Sequence, residues 1–99
     1  MLGPINLGTT PIVNTSLFPI RIGNNANSVS VSAVVIGQNS SAAGDYSVAL
    51  GPNARASLEG IAIGRYSRTE ARAGVALGFS SYCEDENGVA LGSFAGAEK

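Results

Sequence analysis

Histidine and tryptophan are absent from this 99-residue chain, cysteine occurs once, and Arg21 is the only charged residue among the first 44. Without histidine, imidazole acid–base catalysis and His-ligated metal sites are excluded. A single cysteine forms no intramolecular disulfide, so the cysteine count does not fix the compartment. The formal net charge of −1 removes the bulk electrostatic basis for binding nucleic acid. No stretch approaches the ~20 apolar residues of a membrane span. The start, Met1-Leu2-Gly3-Pro4-Ile5-Asn6, lacks the basic region and continuous apolar core of a secretory signal. The sequence therefore reads as a soluble chain with no export address. Its length allows one domain with a small core, which makes oligomerisation an expectation.

Against these absences stands a phrase that returns six times: β-branched, variable, Ile or Leu, Gly. It reads Ile20-Arg21-Ile22-Gly23, Val34-Val35-Ile36-Gly37, Val48-Ala49-Leu50-Gly51, Ile61-Ala62-Ile63-Gly64, Val75-Ala76-Leu77-Gly78 and Val89-Ala90-Leu91-Gly92, with glycines 14, 14, 13, 14 and 14 residues apart. A short fixed period is the mark of a solenoid. The third residue after each glycine is Ala26, Ser40, Ala54, Ser67, Ser81 or Ala95; the fifth is Ser28, Ala42, Ala56, Thr69, Cys83 or Ala97. Both columns are small throughout. Two short strands per rung follow, and strand alternation puts the aliphatics of the phrase on one side and its middle residue on the other. We expect Ile20, Ile22, Val34, Ile36, Val48, Leu50, Ile61, Ile63, Val75, Leu77, Val89 and Leu91 to form the core, packed against the two small columns. Cys83 then reads as one more small buried side chain.

Residues 1–19 differ in character, with Pro4, Pro11 and Pro19 and the apolar residues Ile12, Val13, Leu17 and Phe18. They are expected to form a cap or attachment segment ahead of the repeats of residues 20–99, docking to other proteins by strand pairing or merely closing the open end. Three further columns invite a functional reading. Arg55, Arg68 and Tyr82 fall at the fourth position after successive glycines, with Glu59 or Glu70 as candidates to separate the two arginines and Tyr82 as a partner for Arg68. Tyr66, Phe79, Arg65 and Phe94 occupy nearby free positions; together with Arg68 and Tyr82 they could contact a glycan or protein receptor, or pack between subunits. Asn25, Asn39 and Asn53 share one column that suits a left-handed turn. The acidic run Glu84-Asp85-Glu86-Asn87-Gly88 lacks the ligand spacing of a calcium loop and reads as a solvated turn.

The stretch Tyr46-Ser47-Val48-Ala49-Leu50-Gly51-Pro52-Asn53-Ala54-Arg55-Ala56, followed by Gly60-Ile61-Ala62-Ile63-Gly64 and Gly74-Val75-Ala76-Leu77-Gly78, resembles the head repeats of YadA-like trimeric autotransporter adhesins. The resemblance covers residues 20–97. It implies an all-β, left-handed parallel β-roll of about six 14-residue rungs, three chains of which pack side by side into a homotrimeric, adhesive head. Neither stalk heptads nor a membrane anchor occurs in these 99 residues. On that basis the leading expectation is a non-enzymatic virion component, a fibre, spike or capsid decoration docked to other virion proteins by its N-terminal segment. The alternative is an adhesin head on a bacterial cell surface. No cofactor, metal, nucleic acid or membrane insertion is expected. Other coiled β-architectures fit less well: hexapeptide acyltransferases use a period of six and a histidine, ice-binding solenoids need arrays of threonine, and calcium β-rolls need many aspartates. No nucleophile, base and orienting group come together by spacing, so catalysis is not expected.

Overall fold

A computed structural model describes residues 20–28 and 32–97. Residues 1–19, including Ile12, Val13, Leu17 and Phe18, lie outside the described residues. The chain winds into a parallel β-solenoid of two six-stranded sheets. The first holds β1 (Ile20–Ile22), β3 (Val34–Ile36), β5 (Val48–Leu50), β7 (Ile61–Ile63), β9 (Val75–Leu77) and β11 (Val89–Leu91). The second holds β2 (Asn27–Ser28), β4 (Ser41–Ala42), β6 (Arg55–Ala56), β8 (Arg68–Thr69), β10 (Tyr82–Cys83) and β12 (Gly96–Ala97). Each phrase of the sequence is one strand of the first sheet, and the six phrases bracket five full turns. Stacking is in register, Val34 on Ile20, Val48 on Val34, and so to Val89 on Val75.

The turns explain why the period tolerates so little variation. Each phrase glycine opens a tight turn closed by the amide of the small residue three positions on, as in Ser40 N–H to Gly37 C=O at 3.2 Å and Ser67 N–H to Gly64 C=O at 3.1 Å. The third turn residue is left-handed in every rung, with φ of 64° at Asn25, 60° at Asn39 and 63° at Asn53, in agreement with the expectation for that column. Turns also bond to one another: Asn39 N–H meets Asn24 C=O at 2.9 Å and Phe94 N–H meets Phe79 C=O at 2.8 Å. The phrase glycine has two reasons to be glycine. At Gly51 φ is 128°, and an added Cβ would lie 2.9 Å from the backbone of Gly64 on the next rung. Buried serines complete the turns, Ser40 Oγ donating to Gly37 C=O at 2.6 Å and Ser81 Oγ to Gly78 C=O at 2.9 Å.

The interior corrects the expected core. Strand alternation holds, but the faces are exchanged: the middle residues Val35, Ala49, Ala62, Ala76 and Ala90 are buried, whereas Ile20, Ile36, Ile63, Val89 and Leu91 are exposed and the other phrase aliphatics are half-buried. The physical reason is room. Two sheets joined by such short turns approach closely, and the space between them takes only alanine, serine, cysteine, threonine and a single large member, Val35. The expected inward direction of the two small columns is observed, and Cys83 is fully buried among them with its Sγ directed to Asp85 C=O at 3.4 Å. Arg21 stands in the inward column of the first rung, in register with Val35, and is exposed there, so the buried column of the first sheet begins one rung later.

One rung is a residue short. The missing position falls in the second turn of the third rung, Ser57-Leu58-Glu59-Gly60, and Thr69 fills its place. The Ser57 N–H donates to Thr69 Oγ1 at 2.9 Å, the two hydroxyls are 3.0 Å apart, and Ser57 Oγ donates to Ala71 C=O at 2.6 Å. In complete rungs the equivalent amide bonds to main chain, as Ala43 N–H does to Ala56 C=O at 2.8 Å. A side-chain hydroxyl therefore replaces a backbone acceptor.

Two substitutions test this arrangement. Ala62→Leu should lower the unfolding free energy by about 1–3 kcal/mol in urea titrations, as overpacking does. If the aliphatics were interior, Ala62 would face outward and leucine would change stability by no more than about 0.5 kcal/mol. Thr69→Val should cost about 1 kcal/mol in the same assay, because the half-buried Ser57 amide loses its acceptor, and Thr69→Ser should restore most of it.

Candidate functional site

Small residues inside force the aromatic, arginine and most aliphatic side chains outward, so the surface carries what chemistry the chain has. Three outward regions differ in kind. The outer face of the first sheet is two aliphatic columns, Ile20, Val34, Val48, Ile61, Val75 and Val89 beside Ile22, Ile36, Leu50, Ile63, Leu77 and Leu91. Exposure there reaches 57% at Val89 and 62% at Leu91. None of these twelve positions is polar or charged.

The ridge formed by the first turns changes along its length. Over the first three rungs it carries Asn24, Asn25, Gln38, Asn39, Pro52 and Asn53; over the last three, Arg65, Tyr66, Phe79, Ser80, Ser93 and Phe94. Tyr66 and Phe79 meet edge to face at 6.5 Å between ring centroids, and Phe79 and Phe94 at 5.2 Å. The Arg65 guanidinium lies 5.3 Å from the Tyr66 ring centroid and 5.5 Å from that of Phe79. Tyr66 and Phe94 hold left-handed φ values of 63° and 60° in the column that the earlier rungs give to asparagine. For a bulky residue that conformation costs about 1–2 kcal/mol.

The third region is the outer face of the second sheet. Arg55, Arg68 and Tyr82 stack in register on β6, β8 and β10. Glu70 forms an ion pair with Arg68 and accepts a hydrogen bond from the Tyr82 hydroxyl at 3.1 Å, and the Arg68 guanidinium lies 5.5 Å from the Tyr82 ring centroid. Arg68 and Tyr82 are thus the partners the sequence suggested, and of the two acids considered only Glu70 serves; Glu59 turns away to Arg72, at 3.0 Å. The Arg68 and Tyr82 hydrogen bonds hold the Glu70 carboxyl below its ordinary range. Partial burial, then the Glu70 carboxylate, pushes the Tyr82 hydroxyl up.

Two hollows flank Arg68. A groove of about 310 Å³ is lined by Tyr66, Arg68, Ser80, Ser81 and Tyr82. A notch of about 230 Å³ is lined by Ala43, Arg55, Ala56, Ser57, Arg68, Thr69 and Glu70, and lies at the shortened rung. Of the residues picked out by sequence, the groove unites Tyr66, Arg68 and Tyr82, while Phe79 sits on the adjoining ridge. Sequence reading passed over Ser57 and Thr69, although the 13-residue spacing between Gly51 and Gly64 was the visible sign that something must be patched there. Among the described residues no group of three or more Cys, Asp or Glu side chains is placed to hold a metal ion.

The model of the YadA head domain repeat matches the chain twice, over residues 30–54 and 70–95. These stretches, 25 and 26 residues long, cover just over half of the 99 residues. No curated protein matches the chain significantly.

The carboxyl of Glu70 gives a pH test. Its folded-state pKa is depressed, so its stabilising contribution is present above the ordinary carboxylate pKa and is lost as pH falls through the folded value. The difference in melting temperature between the wild type and Glu70→Gln should therefore shrink as the buffer is taken from neutral into the carboxylate range.

Proposed function

Because the chain belongs to the YadA head-repeat family, we propose that it is a non-enzymatic head module that assembles as a homotrimer through the outer face of its first sheet. The heads of this family are structural and adhesive domains, and the left-handed winding of the roll is part of the same proposal. The observation that carries it is the pair of aliphatic columns. A polar-free face running over all six rungs has the character of a protein contact, since large apolar patches on monomers mark interaction sites. A partner that matches it rung for rung needs the same rise and the same side chains, and another copy of the chain has both.

In this arrangement the second sheet, on the opposite side of the roll, faces away from the contact and serves as the display surface. The family favours the surface of a bacterial cell as the setting. The virion reading needs the same trimeric rod and differs in what holds it; residues 1–19 are the proposed attachment segment in that case.

Light scattering coupled to gel filtration should give a mass three times the 10.0 kDa of the chain for the full protein, and three times its own smaller chain mass for residues 20–99. Leu50→Glu with Leu77→Glu, two charges on the aliphatic face, should reduce it to that of a monomer. A monomeric wild type would overturn the proposal.

A further inference from the structure

We infer that the outer face of the second sheet, over the third to fifth rungs, is a binding site for an acid-bearing oligosaccharide, a sugar chain carrying carboxylate or sulfate groups. The inference rests on the reading of the chain as a display head. Its first support is adjacency: Arg68 lines both the groove and the notch, so a ligand track passing over its side chain would meet both hollows.

Charge favours an anion. Arg55 and Arg68 are one rung apart in register, about 4.8 Å, with Glu70 the only acid lining the track. Glu70 engages one terminal nitrogen of Arg68, which leaves other guanidinium donors in a planar fork suited to a carboxylate or sulfate. Arg55 has no ion pair among the described residues. Its charge acts on Glu70 only through space, so its guanidinium donors are not taken by an acid.

The walls favour sugar over peptide. The amides of this face are already used within the solenoid: Tyr66 N–H bonds to Pro52 C=O at 3.0 Å, Arg68 N–H to Ser81 C=O at 3.0 Å, Ser80 N–H to Arg65 C=O at 2.9 Å and Tyr82 N–H to Ala95 C=O at 2.8 Å. Strand addition, the usual way to capture an extended peptide, has no free edge here. Recognition falls to side chains, and Tyr66 and Tyr82 both line the groove with Arg68, so amphipathic rings and a guanidinium lie in one hollow, a combination able to take the apolar face of a sugar ring and its acid group together. Tyr66 also holds a left-handed position that the first three rungs give to asparagine and the last two to Ser80 and Phe94, a cost accepted there for a bulky ring, as residues retained for a function often show.

The chain's own rungs supply variants that should fold. Tyr66→Asn copies Asn25, Asn39 and Asn53, Tyr82→Ser copies Ser41, and Arg68→Asn copies Asn27, each in the same column. The mass is read first; a monomer would overturn the head reading on which the inference rests. A trimer is then titrated by calorimetry with a sulfated hexasaccharide and a sialylated trisaccharide, each beside its neutral parent. At least one acid-bearing probe should bind and the neutral parents should not. Each variant should weaken binding at least tenfold with its mass retained and a melting temperature no lower than that of Glu70→Gln, whereas Arg21→Asn, on the first rung, should leave binding unchanged. A trimer that binds neither acid-bearing probe, or binds a neutral parent or an acidic peptide of equal charge as well, would overturn the inference and leave the head intact. Equal weakening by Arg21→Asn would also overturn it, as the mark of diffuse charge.

Discussion

The narrow gap between the two sheets governs the rest of the molecule. It is fixed by turns in which a phrase glycine touches the glycine above it and a left-handed residue reverses the chain. Within that gap alanine and serine predominate and Val35 is the largest buried side chain, so the interior carries little of the apolar area that usually stabilises a domain. Cohesion comes instead from parallel ladders that bond every rung to the next and from serine hydroxyls that satisfy turn carbonyls, with no buried side-chain oxygen or nitrogen left unpartnered among the described residues.

That constraint expels the aliphatics. An ordinary small domain hides its Val, Ile and Leu; this one sets two columns of them on an outer face. Such a chain is half of a packing solution, and the other half is supplied by whatever covers the face. In the proposed trimer association and folding would be tied together, as in oligomers whose subunits have too little core of their own. The opposite face is released from packing duty and can vary, which is why arginine, tyrosine and glutamate gather there on a backbone as regular as that beneath the aliphatic columns.

The 13-residue rung shows how the solenoid absorbs an irregularity. Losing one turn residue costs a ladder bond, and Thr69, in a column that otherwise holds Ser, Ala and Cys, restores it through its side chain. Gly60 follows from the same repair, since a Cβ there would lie 2.6 Å from Thr69 Oγ1. The notch left at the surface brings Arg55, Arg68 and Glu70 around one hollow. A defect in the repeat thus becomes the most distinctive feature of the outer face.

The period of the glycines determined the parallel solenoid, the two strands per rung and the inward direction of Ser40, Ala56 and Cys83, because spacing and side-chain size act locally and recur in every rung. The turn role of Asn25, Asn39 and Asn53 was legible for the same reason. Which side Val48 and Leu50 face was not, because alternation fixes that neighbours point apart and leaves the inner side to be decided by the distance between sheets, a property of the closed coil. The pairing of Arg68 with Tyr82 followed from their shared column, but the choice of Glu70 over Glu59, the Ser57–Thr69 repair and the joining of Tyr66 to Arg68 in one groove depend on how turns of unequal length stack, and only the tertiary structure decides that.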